Sequence, residues 1–223
     1  MVHPRERTNA DPDRAVRRSA LASNCRVWPL HAVAHHVLAT PPRLGPVRLV
    51  SIDGPACAGK TTLAGRLAMA LGDVPVVHMD DLYEGWDGLP GVAARLEEWL
   101  LDPLRRGEVA RYRRYDWTAG AYAEWRDVPT CHALIVEGVG SAARVVDDEA
   151  VLKIWLEAPA ETRHARGLAR DAGGFGPYWD AWAAAEDVHF TAEKTRDRAD
   201  LLVDGAPVVL YDEETAIVAD WRR

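Results

Sequence analysis

Gly54-Pro55-Ala56-Cys57-Ala58-Gly59-Lys60-Thr61 satisfies the pattern G-x-x-x-x-G-K-[ST] at every fixed place. No other feature of the chain limits its fold as tightly. The glycines let consecutive backbone N–H groups turn inward around phosphate oxygens, and a helix leaving the loop presents its positive N-terminus to the same anion. Such a loop therefore needs a strand before it and a helix after it. Val47 to Ile52 is a short β-branched apolar run, read as a strand, and Leu63, Leu67 and Leu71 recur on one helical face. Gly54, Pro55, Ala56, Cys57, Ala58, Gly59, Lys60, Thr61 and Thr62 are thus the candidate nucleotide-binding residues. Lys60 is placed to reach the β- and γ-phosphates, and the Thr61 hydroxyl to ligate Mg2+. A glycine-rich turn without a ligand is the competing reading, and the strand–loop–helix context disfavours it. Cys57 lies where a helix N-terminus and Lys60 favour a thiolate, but a small residue filling a tight turn is the simpler account.

Further strands are expected at Val74–His78, Ala133–Val136, Val151–Leu156 and Leu201–Val203. Helical stripes lie between them. Val92, Leu96, Trp99 and Leu100 form one, interrupted at Asp102-Pro103. Another opens at Pro159 and runs toward Asp171. A long helix covers Tyr178 to about Arg198, and an apolar segment with three histidines, Trp28 to Ala39, is read as a helix on the domain edge. Strands alternating with helices predict an α/β fold, a parallel sheet covered by helices on both faces. Trp99 and Trp155 are expected in the core. His31, His35 and His36 have no acids or cysteines nearby and are read as partly exposed helix residues rather than metal ligands.

Of 223 residues, 48% are hydrophobic, enough for one well-formed core. The division expected is a disordered tail over residues 1–25 and one domain over 26–223. Met1 to Ser23 mixes arginines with acids and prolines and has little to bury. A net charge of -7 argues against nonspecific binding to nucleic acid. No run of roughly 18 apolar residues suggests a membrane span, and the widely spaced Cys25, Cys57 and Cys131 suit a reduced, cytoplasmic setting. Oligomeric state is left open.

His78-Met79-Asp80-Asp81-Leu82-Tyr83 follows the second strand. With the phosphate-binding loop, it resembles the uridine kinase and phosphoribulokinase-like branch of the P-loop kinases. Tyr115-Asp116-Trp117 looks like that family's acceptor-side element, and Leu134 to Gly138 like its strand ending in Glu-Gly. Arg163, Arg166 and Arg170, followed by Asp171, look like its arginine-rich helix and lid. The resemblance, over Val47 to Gly205, implies a P-loop NTPase fold of the nucleoside-monophosphate-kinase type with a small lid over the phosphates. It also implies ATP and Mg2+ as cofactors and a small molecule as phosphate acceptor, a nucleoside being the leading one. Asp80 aligns with the catalytic aspartate, and Tyr83, Tyr115 and Asp116 with acceptor-side positions. Glu137 takes the place that holds Mg2+ through water. Gly120 and Tyr122 stand where uridine kinases place a histidine and an arginine, so the pyrimidine is not fixed by the match.

Phosphoryl transfer asks a protein for positioning and charge stabilisation, and the sequence offers a candidate for each part. Asp80 is the candidate base, though Asp81 beside it could exchange roles. Lys60, Arg163, Arg166 and Arg170 are the candidate catalytic cations. The arginines share one helical face, which could instead be merely solvated, just as Glu137 could be an exposed strand-end carboxylate. The Gly173-Gly174-Phe175-Gly176-Pro177 run suits a mobile lid. Trp86, Trp117 and Trp125, with Tyr83, Tyr115 and Tyr122, gather where an acceptor ring would lie. Alternatives are a kinase of another metabolite or an antibiotic, and a regulatory NTPase acting through a protein partner. Removing Met1 to Ser23 is expected to leave the melting temperature and kcat/KM unchanged. A large drop in either would mean that the segment docks on the domain.

Overall fold

The computed structural model describes residues 25–170 and 174–222. The tail expected over residues 1–25 lies almost wholly outside them, as do Asp171 and Gly173. The chain opens with β1 (Arg26–Pro29) and α1 (Leu30–Ala39), then β2 (Arg48–Asp53), the glycine-rich loop and α2 (Lys60–Ala70). After β3 (Val76–His78), α3 (Val92–Leu96) and α4 (Asp102–Arg105) come the strands β4 (Arg111–Asp116), β5 (Ala121–Asp127), β6 (Ala133–Glu137) and β7 (Ala150–Glu157). The remainder is α5 (Ala160–Arg170), α6 (Trp179–Glu193), α7 (Thr195–Arg198), β8 (Leu201–Asp204) and β9 (Ala216–Trp221).

Seven strands form one sheet in the order β1-β9-β8-β7-β2-β6-β3. The pairs from β8 across to β3 are parallel, as the alternation of strands and helices predicts. One strand departs from that expectation: β9, next to the edge strand β1, runs antiparallel to both β8 and β1. Period-two alternation distributes the side chains. Val50, Ile52, Ala133 and Ile135 join one core with Leu30, Val33 and Val37 of α1 and Leu63 and Leu67 of α2. Leu49, Leu134 and Val136 face the other core, with Leu82, Tyr83, Leu96, Leu100 and Trp182. Helices cover both faces, and the C-terminal ends of β2, β3 and β6 meet at the loop where ligands of such sheets bind.

Several boundaries differ from the sequence expectation for identifiable reasons. Trp28 belongs to β1 rather than to a helix, and its ring meets Trp221 of β9 edge-on at 6.3 Å. Asp102-Pro103 does not stop the helix. A π-helical turn, Glu97–Leu101, widens the backbone just before Pro103, the residue that lacks an N–H, and the chain continues as α4. The helix expected from Tyr178 to Arg198 breaks at Lys194, which takes a left-handed φ of 51°. Trp99 is half-buried, not core, and packs against Tyr122 and Trp125 of the β4–β5 hairpin. Trp155 is buried as expected. His31, His35 and His36 are exposed, and among the described residues no cluster of three or more His, Cys, Asp and Glu side chains could hold a metal. No helix of the described residues is long and apolar enough to cross a membrane.

Burial on α2 is one-sided: Leu67 is inaccessible, whereas Met69 is 75% exposed. Leu67→Ala should therefore destabilise the fold by about 2–5 kcal/mol, and Met69→Ala by less than about 0.5 kcal/mol. Urea unfolding of the two variants checks the contrast.

Candidate active site

β2 ends in Asp53, and Gly54 then turns with φ of 137°. A Cβ at Gly54 would lie 2.0 Å from the Leu156 carbonyl oxygen, so no larger residue fits between the loop and β7. Cys57 adopts a left-handed φ of 61°, and Gly59, at 115°, starts α2 without a side-chain cap. The loop thus leaves the first N–H groups of α2 without a side-chain partner, an anion site by construction. Lys60, only 7% exposed, curls back over the loop, and its Nζ donates to the Gly54 and Pro55 carbonyl oxygens at 2.7 and 2.9 Å.

Thr61 Oγ1 donates to Glu137 Oε1 at 2.9 Å, and the same oxygen lies 2.6 Å from Nδ1 of His78. That bond with Glu137 is the main cause that raises the His78 pKa above its ordinary value, against the opposing effect of burial. Mg2+ in nucleotide sites is held by one or two protein oxygens together with phosphates. The Thr61 hydroxyl beside the Glu137 carboxylate is a donor set of that kind, which fits the expectation for both residues.

A cavity of about 590 Å³ opens over the loop. Its lining brings together Lys60, Thr61, Asp80, Tyr83, Glu137, Arg166 and Arg170. Asp80 is reached from this cavity, but protein atoms crowd around it. The residue is exposed to solvent, yet desolvation by those atoms, followed by the charge of Glu137, raises its pKa, against the opposing pull of Lys60, Arg170 and His78. Asp81 is turned elsewhere, toward Arg126 of the hairpin, 3.6 Å away. Gly138, at φ 131°, lets the loop after β6 pass Met79, where a Cβ would come within 2.6 Å of the methionine side chain.

Six of the expected site residues lie outside this cavity lining: Gly54, Pro55 and Ala58 of the loop, and Asp116, Tyr115 and Arg163. Asp116 caps the hairpin turn, accepting from the N–H groups of Thr118 and Ala119 at 3.0 Å each and pairing with Arg114. Tyr115 is buried between Trp117 and Tyr122, each met edge-on. Arg163 braces the loop from outside: Nη1 donates to the Ala56 carbonyl at 3.2 Å and lies 3.9 Å from Glu186. Arg166, one turn on, donates to Ala58 O at 3.2 Å and to Gly205 O at 2.9 Å. It also lines a second cleft of about 510 Å³, together with Gly59, Thr62, Tyr211 and Val203. Of the lid run, Phe175 is buried and lines the first cavity.

Two buried carboxylates shape the site and were not among the sequence candidates. Asp53 accepts from the N–H groups of Gly54, Gly140 and Ala142 at 2.7, 3.0 and 3.0 Å. Glu186 of α6 accepts from the loop N–H of Ala56 at 2.7 Å and from Trp182 Nε1 at 2.8 Å. An acid closing an apolar strand just before Gly54 was the available signal for Asp53. Glu186 has no local signal, because its partner Ala56 is 130 residues away.

No family profile matches the chain. Over 164 residues it is 30% identical to a cytidylate kinase of Burkholderia ambifaria (strain MC40-6), a match covering 54% of this chain and just under two thirds, 66%, of that protein. Its fold superposes on a possible uridine kinase from Bacillus stearothermophilus with a TM-score of 0.56 at 22% identity, over 78% of this chain and 96% of that one. It also superposes on a candidate fructose transport system kinase from Silicibacter sp. TM1040, with a TM-score of 0.54 at 24% identity, over 77% and 95% of the two chains. The strand order, the loop geometry and these likenesses agree: the chain has the fold of the P-loop kinases.

Proposed function

We propose that this protein is an ATP-dependent kinase that moves the γ-phosphoryl group onto a hydroxyl of a small molecule, in the manner of the uridine kinase-like proteins. The observation that carries this reading is the joining, in one cavity lining, of the glycine-rich loop with Lys60, the hydrogen-bonded Thr61–Glu137 pair and the Asp80 carboxylate. The triphosphate lies along the loop, and the base points to the second cleft, which shares Gly59, Thr62 and Arg166 with the first. Lys60 exchanges its two carbonyl partners for oxygens of the β- and γ-phosphates. Mg2+, when bound, neutralises phosphate charge, and Thr61 and Glu137 are the residues that would hold it.

Asp80 accepts the proton of the acceptor hydroxyl as its oxygen bonds to the γ-phosphorus. The bond from that phosphorus to the β–γ bridging oxygen breaks, and ADP leaves with the electron pair. A carboxylate whose pKa is raised by its surroundings is a better base than an ordinary aspartate. Arg166 and Arg170 stabilise charge on the transferred group, whereas Arg163 acts through the loop it braces. An alcohol acceptor is favoured over a phosphate acceptor by the far wall of the cavity. Tyr83, Trp86, Trp117, Phe175 and Trp182 form it, and none of them carries a charge to meet a second phosphate.

Lys60→Ala should lower kcat/KM by about 10²–10³-fold through the loss of charge on the phosphates, and residual activity within tenfold of the parent would contradict the cradle's role. Asp80→Asn should lower kcat by about 10²–10⁴-fold with the affinity for a non-hydrolysable ATP analogue preserved. Asp81→Asn should have a milder effect, given its pairing with Arg126. The direction of the Asp80 shift also sets a pH dependence. The base must be deprotonated to act, and its pKa is raised. The rate should therefore fall, as pH is lowered, at a pH above the ~3.9 of an ordinary aspartate. A kcat/KM profile flat down to that value would exclude Asp80 as the base.

A further inference from the structure

The acceptor end of the cavity is walled by aromatic rings, and Tyr83, Trp117 and Trp182 among them have their polar atoms engaged elsewhere. Tyr83 donates its hydroxyl to Val139 O at 2.7 Å, and Trp182 its Nε1–H to Glu186 at 2.8 Å. Trp117 donates its Nε1–H to the backbone oxygen of Asp80 at 3.0 Å. Behind them, Tyr122 donates to Leu82 O at 2.9 Å. That hydroxyl could otherwise have served at the position where uridine kinases place a polar reader. Trp86 gathers the wall: it meets Trp117 at 4.8 Å and Trp182 at 5.9 Å, and stacks on Phe175 at 5.2 Å and Tyr178 at 4.4 Å. Apart from the Nε1–H of Trp86, what these residues offer a ligand is ring carbon. The polar group beside them is Asp80, and the cations Lys60, Arg166 and Arg170 come from the loop and α5.

From this we infer the class of acceptor: an uncharged alcohol carrying an aromatic or alicyclic ring, held by apolar contact with the ring wall and anchored to Asp80 through its hydroxyl. The inference rests on the kinase reading above and narrows it. A pyrimidine nucleoside brings two ring carbonyls and an N–H or amino group. Against carbon these lose their water partners without replacement, and each unpaired group costs about tenfold or more in affinity. A ring without polar edges gives up no hydrogen bonds there and gains the burial and ring–ring contact that the wall provides. An acceptor carrying its own phosphate is disfavoured further, since the wall has no cation to meet it.

The test uses the full chain with Mg2+ and a non-hydrolysable ATP analogue filling the cradle. Dissociation constants of 2-phenylethanol, indole-3-ethanol and cyclohexylmethanol are measured by calorimetry beside those of uridine, cytidine and cytidine monophosphate. Each compound is then assayed for ATP-dependent phosphorylation. The ring alcohols should bind at least about tenfold more tightly than either nucleoside. Trp117→Ala, a residue 37% exposed and so removable without opening the core, should weaken them by a similar factor and leave analogue affinity unchanged. Nucleosides bound as tightly as the ring alcohols, or ring alcohols not bound at all, would overturn the inference. Selective phosphorylation of uridine would overturn it too, while leaving the kinase reading intact. That reading fails by a separate result: analogue affinity indifferent to Lys60→Ala, with no bound compound phosphorylated.

Discussion

The Asp53 carboxylate holds the site together. It has no access to solvent, and its two oxygens accept three backbone N–H groups, one opening the phosphate-binding loop and two in the segment after β6. A buried carboxylate is tolerated only when its hydrogen-bonding capacity is met. These three bonds therefore fix the loop and the Glu137–Ala142 segment relative to one another. From that clamp the remaining geometry follows in short steps. Glu137 reaches the Thr61 hydroxyl, His78 reaches Glu137, and two residues beyond His78 the chain presents Asp80 to the cavity. Loosening Asp53 would move the Thr61–Glu137 pair and Asp80 together.

The second constraint is the charge balance around the glycine-rich loop. Asp80, Glu137 and Glu186 lie around it, and the protein as a whole is negative. Lys60, Arg163, Arg166 and Arg170 offset them locally. Burial raises the pKa of Glu186, while Lys60 and the bonds from Ala56 and Trp182 pull it back. In the proposed reaction, an incoming triphosphate would displace Lys60 from two carbonyls rather than from a carboxylate. It would therefore gain a full ion pair while breaking only neutral-acceptor bonds.

Legibility in the sequence followed the range of the interactions involved. β2, the loop and α2 were readable because each is specified by neighbours within a few residues: β-branched alternation, glycines where φ is positive, leucines at helical spacing. The hairpin was missed because Arg111–Asp116 and Ala121–Asp127 are rich in charge. Its stability comes from cross-strand pairs, Arg114 with Glu124 and Tyr115 with Tyr122, that no single strand reveals. β9 was missed for a similar reason, as its short buried run is made a strand by β8 and β1 on either side. At the site, Lys60, Thr61, Asp80 and Glu137 were visible from motif and strand end. Asp116 caps the hairpin turn outside the cavity lining, and an Asx-type cap and an acceptor-side carboxylate look alike in sequence.

The aromatic segments show most directly how fold and chemistry are coupled here. Trp117 belongs to the hairpin, Trp86 to the segment after β3, Phe175 to the lid run and Trp182 to α6, so the wall exists only when four separate parts of the chain are docked. Trp182 also carries Glu186, one turn away, whose other hydrogen bond is to the loop amide of Ala56. One side chain thus ties the ring wall to the phosphate cradle. In the proposed reaction, ordering the wall around an acceptor would steady the carboxylate that steadies the cradle, and filling the cradle would do the same in reverse. Linkage of this kind is reciprocal by thermodynamic necessity. It would favour the arrangement in which both sites are filled, the condition under which transfer to an acceptor outcompetes transfer to water.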